Sequence, residues 1–480
     1  MVRIVIDNYV RITGLPYEVF EQVRKRLTYP NPKYEEAIKY RKRGRVWGEP
    51  KTLRSWDYDK EEKELLLPRG VFLEFMDYIG RLGLQFEIID RRQKTTIKTP
   101  ESILTLRSYQ EKLAGEGALY PGLGYILQAP PGTGKTIMGL ELARREGRKT
   151  LWLVHKNFLA MQALNAASDE SPVNVLGIPK KQIGIIGAGT KKIKIGDFLT
   201  VATIQTIHSK RDELRKYQYE FGTIIIDEAH HAPASTWKEC SYLFSPRVTV
   251  GLTATSYRAD GRTQMLFDCL GPVVGIADKE LLKKEGVLIV PTYCSVYTGL
   301  RYYGKNYADI ISKLITDQRR NAIIMRLIHE VLNQNTSNVV LLMSSRVQHV
   351  DDICTMAYNQ GLSPIKLVGT LSKVEKNLAF EQLKRGRPRL LVATYELLSE
   401  GFDYPPISHI FFGTPFRNPI RLEQGVGRAQ RVEPLKQDAW IIDLIDECAM
   451  LYRQANIRRS LALGLGMPHV IYNTNTFRSQ

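Results

Sequence analysis

Gly124-Tyr-Ile-Leu-Gln-Ala129-Pro-Pro-Gly-Thr-Gly-Lys135-Thr136 runs directly into Ile-Met-Gly-Leu-Glu-Leu-Ala-Arg-Arg. The apolar run ending at Gln128 reads as a strand and the run after Lys135 as a helix, separated by a Pro- and Gly-containing turn. A strand, such a turn and a helix N-terminus in that order form a cradle for phosphate. Glycines let backbone N–H groups approach the anion, and the helix end adds its partial positive charge. Pro131, Gly132, Thr133 and Gly134 are the expected cradle, with Lys135 reaching the β- and γ-phosphates and Thr136 holding magnesium. Ala129 stands where the strict pattern has glycine, so the loop is a variant of it. ATP and magnesium are the cofactors this reading predicts.

Outward from that loop, short β-rich apolar runs alternate with helical stretches: TLWLVHK, FLTVATI, FGTIIIDEAH and RVTVGLTAT. This rhythm predicts a parallel sheet covered by helices. A second series, VLIVPTYCSV, NVVLLMSS, RLLVATY, HIFFGTP and AWIIDLID, begins after about residue 285. The expected fold class is α/β, with two tandem parallel-sheet domains over residues 96–283 and 284–480. Residues 1–95 have a different texture, with helices at LPYEVFEQVRKRL and PRGVFLEFMDYIGRLG and a hairpin around KTLRSWDYDKEEKELLLP, and are expected to form a small α+β domain. RRQKTTIKTP is expected to be a linker.

The chain has 480 residues, of which 43% are hydrophobic and 25% charged, the balance of a water-soluble globular protein. No window has the unbroken apolar run of a membrane span, and the start MVRIVIDNYV lacks the order of a signal peptide. A cytoplasmic location is expected, in the host cell if the gene is viral. Five scattered cysteines without a CxxC pair argue against disulfides and structural zinc. A formal charge of +18 favours polyanionic partners.

Thr223-Ile-Ile-Ile-Asp227-Glu228-Ala-His230 ends an apolar strand on two carboxylates and a histidine. In an open α/β sheet the carboxyl ends of strands face the ligand crevice. Asp227 is placed to complete a magnesium shell and Glu228 to orient or deprotonate the attacking water.

With both elements present, residues 103–460 resemble the DEAH-box branch of superfamily 2 helicases, whose motor is a tandem pair of RecA-like domains. Leu106-Arg107-Ser-Tyr109-Gln110 is similar to the adenine-sensing motif of that family, implying nucleotide contacts from Arg107 and Gln110. TLWLVHKNFLAMQAL and Thr203-Ile-Gln205-Thr206 resemble motifs Ia and Ib, which implies nucleic-acid contacts from His155, Lys156, Thr203, Gln205 and Thr206. Gly251-Leu-Thr253-Ala254-Thr255 resembles motif III, so that Thr253, Thr255 and His230 would couple hydrolysis to domain movement. Ser344-Ser345-Arg346 resembles motif IV, with Arg346 on nucleic acid. The run from Ala393 to Asp403 resembles motif V, with Thr394 on a backbone phosphate and Gly401 and Asp403 bordering the nucleotide.

Gln424-Gly-Val-Gly427-Arg428-Ala-Gln-Arg431 puts residues 424, 428 and 431 on one face of a helix. Two neighbouring guanidiniums repel unless an anion or carboxylate lies between them, so this face is expected to be polar rather than core. The resemblance makes it motif VI, with Arg431 as an arginine finger on the γ-phosphate, Arg428 as its partner and Gln424 as a positioning residue.

LVHK, in place of the PTRELA typical of DEAD-box RNA helicases, and LTATSYRADG, in place of SAT, imply DNA by that comparison. GLTATSYRADG resembles the UvsW-type phage recombination helicases, which implies remodelling of forks and Holliday junctions by branch migration and unwinding. The implied partners are single-stranded and branched duplex DNA, with recombination or replication proteins but no membrane, and a monomeric state. Residues 1–100 hold 21 Lys+Arg against 15 Asp+Glu. Their cluster Arg41-Lys42-Arg43-Gly-Arg45-Val-Trp47 mixes cations with aromatics, as a DNA grip would, and equally as a solvated face would. Tyr297, Arg301, Tyr302 and Tyr303 form a second such group, explained as cheaply by a strand end. The competing readings are a DEAH-type RNA helicase, the motor subunit of a restriction or defence complex, and a nucleotide-switched clamp.

Overall fold

The computed structural model describes residues 1–40, 50–130, 132–170, 174–190, 192–231, 240, 242–254, 261–386, 388–395 and 404–473; some helix side chains, that of Gln424 among them, also fall outside the description. Arg41, Lys42, Arg43, Arg45, Pro131, Thr255, Gly401 and Asp403 therefore lie outside the described residues. The chain divides into two compact units, Met1–Pro130 with Gly134–Asp278 and Pro131–Thr133 with Lys279–Gln480.

The first unit is built on an eight-stranded sheet in the order Ile193–Lys194, Gly184–Ile186, Leu199–Thr203, Thr150–Val154, Thr223–Asp227, Val248–Thr253, Gly124–Gln128 and Val273–Ile276. Every pairing is parallel except that of the outermost strand, Ile193–Lys194, with its neighbour. The strand period of two splits each strand between two cores. Tyr125 and Leu127 face the cluster containing Leu140, Trp152 and Val201, while Ile126, Ile224 and Ile226 face the one containing Leu153, Phe221 and Phe244. Near-continuous apolar runs are what a parallel sheet covered on both faces requires.

The N-terminal region carries a five-stranded sheet in the order Asp57–Asp59, Glu64–Leu67, Val10–Thr13, Val2–Ile6 and Phe86–Asp90. Helices Tyr17–Arg26 and Phe72–Arg81 pack on it through Val19, Val23, Phe75 and Ile79. This module belongs to the first compact unit. Tyr9 stacks on Tyr242 at 4.0 Å between ring centroids, and Asn8 Nδ2 donates to the Tyr242 carbonyl at 2.6 Å. The buried Arg69 guanidinium donates to the carbonyls of Leu123 and Arg247 at 3.1 and 3.3 Å. A methyl group on Gly70 would meet the Gly271 nitrogen at 2.3 Å.

The expected linker is not a free spacer. Arg92 is paired with Asp90 and donates to the Arg247 carbonyl at 2.8 Å. Gln93 N–H then reaches the Ser245 carbonyl and Ile97 N–H the Gly147 carbonyl, at 2.8 and 2.9 Å. Polar, basic composition marks a segment rich in donors, and here the donors are used on the neighbouring sheet rather than on water.

The second unit carries a seven-stranded, wholly parallel sheet in the order Ile365–Leu367, Leu390–Thr394, Val340–Ser344, His409–Phe412, Trp440–Glu447, Thr292–Arg301 and His469–Asn473. Leu341 and Met343 serve one core and Val340 and Leu342 the other. Both sheets have the parallel α/β character that the alternating pattern predicts, and both are of the RecA-like kind that the family resemblance implies. No helix among the described residues is long and apolar enough to cross a membrane.

Candidate nucleotide and nucleic-acid sites

The phosphate loop joins the strand Gly124–Gln128 to the helix Lys135–Glu146. Gly132 and Gly134 have φ of 83° and 77°, a left-handed backbone that side chains resist. A Cβ on Gly134 would also meet Gln110 Nε2 at 2.7 Å, so the buried Gln110 packs against the loop itself. Gln110 Oε1 accepts the Arg107 N–H at 3.0 Å at the start of the helix Ser108–Leu119. The adenine-motif residues and the phosphate loop thus form one contiguous surface. Thr133 is buried and Thr136 half-buried, the latter in the first turn of the helix.

Lys135 is only 9% exposed. Its Nζ donates to the Ala129 carbonyl at 3.3 Å and pairs with Glu228 Oε1 at 3.4 Å. Ala129 N–H is held by the Thr253 carbonyl at 2.9 Å, because the strand Val248–Thr253 lies between the phosphate-loop strand and the strand Thr223–Asp227. Strand order therefore brings the lysine to the two carboxylates from nearly a hundred residues away.

Burial raises the Asp227 carboxyl to about 7, helped by the Glu228 charge and opposed by Lys135 and by the Glu228 N–H, which donates to Asp227 Oδ1 at 3.0 Å. Glu228 itself has φ of 50°, a left-handed conformation that costs a non-glycine residue about 1–3 kcal/mol and is typical of functional sites. Glu228 Oε2 lies 3.4 Å from His230 Nδ1, and that nitrogen hydrogen-bonds the buried Thr253 hydroxyl at 2.8 Å. Lys135, Glu228, His230 and Thr253 thus form one chain of polar contacts across three strands.

These residues fit the groups the sequence implies. Two left-handed glycines clear a backbone cradle, a buried ammonium is held by a carboxylate where a phosphate can replace it, and the Asp227 carboxylate with the Thr136 hydroxyl supplies the hard oxygen donors that magnesium takes.

The Ia and Ib residues also come together. Thr203 pairs in register with Val154, Gln205 Nε2 donates to the His155 carbonyl at 2.8 Å, and the Thr203 and Thr206 hydroxyls are 2.8 Å apart. A turn that sequence reasoning missed packs here. Gly187, Ala188 and Gly189 have φ of 88°, 52° and 90°, and a Cβ on Gly187 would meet the Thr206 and Thr203 hydroxyls at 2.4 and 2.6 Å. The signal was present as Gly-Ala-Gly before a Thr-Lys-Lys run.

In the second unit Thr394 ends its strand opposite Ser344. It is 4% exposed, less open than a phosphate contact suggests. Arg346 N–H donates to the Ser344 hydroxyl at 3.2 Å, at the start of the helix Val347–Asn359. The expected polar face of motif VI needs correction. The helix Pro419–Ala429 ends before Arg431, so Arg431 does not share a helical face with Arg428, and Arg428 is buried, at 8% exposure.

The helix stops because the backbone at Arg431 bridges to Leu288, and Ile289 N–H takes the Gln430 carbonyl at 2.9 Å. The buried Lys436 ammonium then caps the Ala429 and Arg431 carbonyls. Burial, reinforced by Arg431, lowers Lys436 to about 7, and burial lowers Arg431 to about 10. In the Tyr297–Tyr303 group, Tyr302 is buried on Asp317 at 3.0 Å, while Arg301, paired with Glu447, and Tyr303 stay well exposed.

Sequence reasoning also missed the supports of this unit. Arg320 is fully buried with its Nε 3.1 and 3.0 Å from the two oxygens of Asp446. Arg458 holds Asp443 through two bonds of 2.8 and 2.9 Å. The available signal was two aspartates inside the otherwise apolar strand AWIIDLID, since a buried carboxylate demands a partner.

Two family models match the chain in tandem: "Type III restriction enzyme, res subunit" over residues 103–258 and "Helicase conserved C-terminal domain" over residues 320–433. "Probable helicase D10" of Escherichia phage T5 is 26% identical over 80% of this chain and 81% of its own length. "Putative ATP-dependent RNA helicase L396" of Acanthamoeba polyphaga mimivirus is 25% identical over 71% of this chain and 64% of its own. Among solved structures, the ATP-dependent Type ISP restriction-modification enzyme LlaBIII bound to DNA shares the fold with a TM-score of 0.58 at 14% identity, over 84% of this chain and 36% of that one. With both models in helicase order, one on each RecA-like unit, the chain belongs to the superfamily 2 helicases.

Proposed function

We propose that this helicase hydrolyses ATP to move on DNA and to remodel branched structures such as forks and Holliday junctions, as a DEAH-box member close to the UvsW type. The observation that carries the reading is the contact chain from Lys135 through Glu228 and His230 to Thr253. It ties the phosphate lysine to the hydrolytic carboxylate and to the strand that leaves the site. Glu228 orients the attacking water and takes its proton, and Lys135 releases Glu228 as it turns to the phosphates. Magnesium, when bound by Thr136 and Asp227, neutralises phosphate charge. Asp227 must be ionised for that role, which its burial and the neighbouring Glu228 charge oppose and the Lys135 charge favours. Arg428 and Arg431, by the resemblance to motif VI, are the candidate groups for stabilising charge on a transferring phosphoryl group.

DNA rather than RNA is favoured by LVHK at residues 153–156 and by GLTATSYRADG at residues 251–261, which depart from RNA-helicase forms. The basic cluster Arg41, Lys42, Arg43 and Arg45 adds an expected grip on the duplex. Steady-state ATPase of the parent and of Lys135→Ala, with fork, four-way junction, single-stranded DNA and RNA, tests the whole reading. The parent is expected to respond most to branched DNA and the variant to lose hydrolysis about a thousandfold or more. Equal rates in parent and variant would sink the site, and stimulation by RNA alone would sink the substrate.

A further inference from the structure

The loop Gly413–Phe416 is the first part of the connection, residues 413–418, between the strand His409–Phe412 and the motif VI helix Pro419–Ala429. Each of its four consecutive carbonyls is taken by a different side chain. Arg320 Nη1 donates to Gly413 at 2.7 Å, Tyr395 OH to Thr414 at 2.5 Å, Tyr307 OH to Pro415 at 2.6 Å and Arg458 Nη1 to Phe416 at 2.7 Å. Loop carbonyls ordinarily turn to water or to neighbouring backbone, so a complete set of side-chain donors is a built feature.

The donors are themselves fixed. Arg320 and Arg458 are locked on Asp446 and Asp443 of one strand, Trp440–Glu447, and the Tyr293 hydroxyl also binds Asp443. The Arg458 guanidinium lies over the Phe416 ring and the Arg421 guanidinium over the Tyr395 ring, at 5.1 and 4.8 Å. Gly413 is pressed so closely to the next strand that a Cβ would meet the Met343 carbonyl at 2.9 Å.

Two of these ties lead to the motifs expected to meet nucleic acid. Thr414 Oγ1 accepts the Ser345 N–H at 2.8 Å and donates to the Ser345 hydroxyl at 3.2 Å, beside Arg346. Tyr395 directly follows Thr394. The same loop leads into the helix that carries Arg428 and Arg421. Ser344 is tied back through His349 to Asn321, next to Arg320, by bonds of 3.0 and 3.0 Å.

We infer that Thr414 and Tyr395 are positioning residues that pass nucleic-acid engagement at Ser345–Arg346 and Thr394 to the motif VI helix, making hydrolysis responsive to the bound strand. This rests on the proposed function above. Movement of either motif displaces the loop, because none of its four carbonyls has slack. The loop's direction sets the direction of the helix, and hence where its arginines stand.

The experiment measures ATPase of the full chain with and without saturating single-stranded DNA for parent, Tyr395→Phe, Thr414→Val and Thr414→Ser, with the melting temperature of each. Tyr395→Phe and Thr414→Val are expected to lower the stimulated-to-basal ratio at least about fivefold. Thr414→Ser, which keeps the hydroxyl, is expected to restore it, and the Tyr395→Phe/Thr414→Val pair to fall short of additivity. A ratio unchanged in folded variants, or basal and stimulated rates falling together, overturns the inference. If Tyr395→Phe does not fold, Tyr307→Phe at the half-buried end of the loop carries the same readout. A parent not stimulated by DNA defeats the functional reading itself, whereas a stimulated parent with equally stimulated variants defeats only this coupling.

Discussion

The two RecA-like units hold their charged groups in opposite ways. In the first, the candidate nucleotide residues are set by local backbone conformation and one exchangeable pair: a left-handed Gly134, a left-handed Glu228 next to Asp227, and Lys135, which strand order brings to Glu228. In the second, the groups around motif VI are set by ion pairs buried in the core and separated by 126 and 15 residues, Arg320 with Asp446 and Arg458 with Asp443. A phosphate site needs its donors to exchange partners when ligand arrives, so its pairs are long and replaceable. A frame that must keep its shape needs pairs that do not exchange, and charge-assisted bonds in a dry interior supply them.

The largest expected effect tests that contrast. Arg458→Met strands the Asp443 carboxylate in the core and should cost about 3–5 kcal/mol. The same kind of change at the surface of the first unit, Glu111→Gln, breaks a pair with Arg145 and should cost under about 1 kcal/mol. Urea titration of both variants, followed by far-UV circular dichroism, makes the comparison. Equal costs would mean that the buried pairs are no more than incidental.

That contrast also explains what could be read in advance. The phosphate loop, the Asp227-Glu228 strand end and the order of the motifs were legible because each is a local pattern in which residue type, spacing and strand or helix context agree. Arg320 and Arg458 were not, since each is one of several arginines on its helix, beside Arg319 and Arg459 respectively, and its partner is known only once the sheet order is known. Arg431 was misplaced for a related reason. Helical spacing from Gln424 continued on paper, while the non-local bridge to Leu288, supported by the Lys436 cap from just downstream, ends the helix at Ala429. The basic N-terminal segment looked like a linker because its hydrogen-bond partners, Arg247, Ser245 and Gly147, lie in another part of the chain.

A smaller effect probes the short-range chemistry of the first unit. The folded Asp227 carboxyl sits near 7, well above its ordinary 3.8, so the folded state holds this proton more tightly than the unfolded chain. Its contribution to stability is complete below about pH 4 and is lost as pH rises through 7. Asp227→Asn removes the charge at every pH. In magnesium- and nucleotide-free protein it should melt close to the parent at pH 5 and about 2–4 °C above it at pH 8, while hydrolysis is lost throughout. A difference in melting temperature that does not change with pH would show that the buried carboxyl is not the cause.

The smallest expected effect concerns the turn beside motif Ib, where local backbone rather than charge is at issue. Ala188 holds φ of 52° between two glycines at 88° and 90°. A left-handed L-residue costs about 1–2 kcal/mol, and glycine returns about 0.5–1 kcal/mol of that through the freedom it gives the unfolded chain. Ala188→Gly should therefore stabilise by about 0–1 kcal/mol. Gly187→Ala should do the reverse, because its Cβ would collide with both threonine hydroxyls. Thermal melts of the two variants decide the matter: if Ala188→Gly melts lower than the parent while Gly187→Ala is neutral, the turn is held by something other than its backbone conformation, and the short-range character assigned to the first unit does not extend to this edge of the sheet.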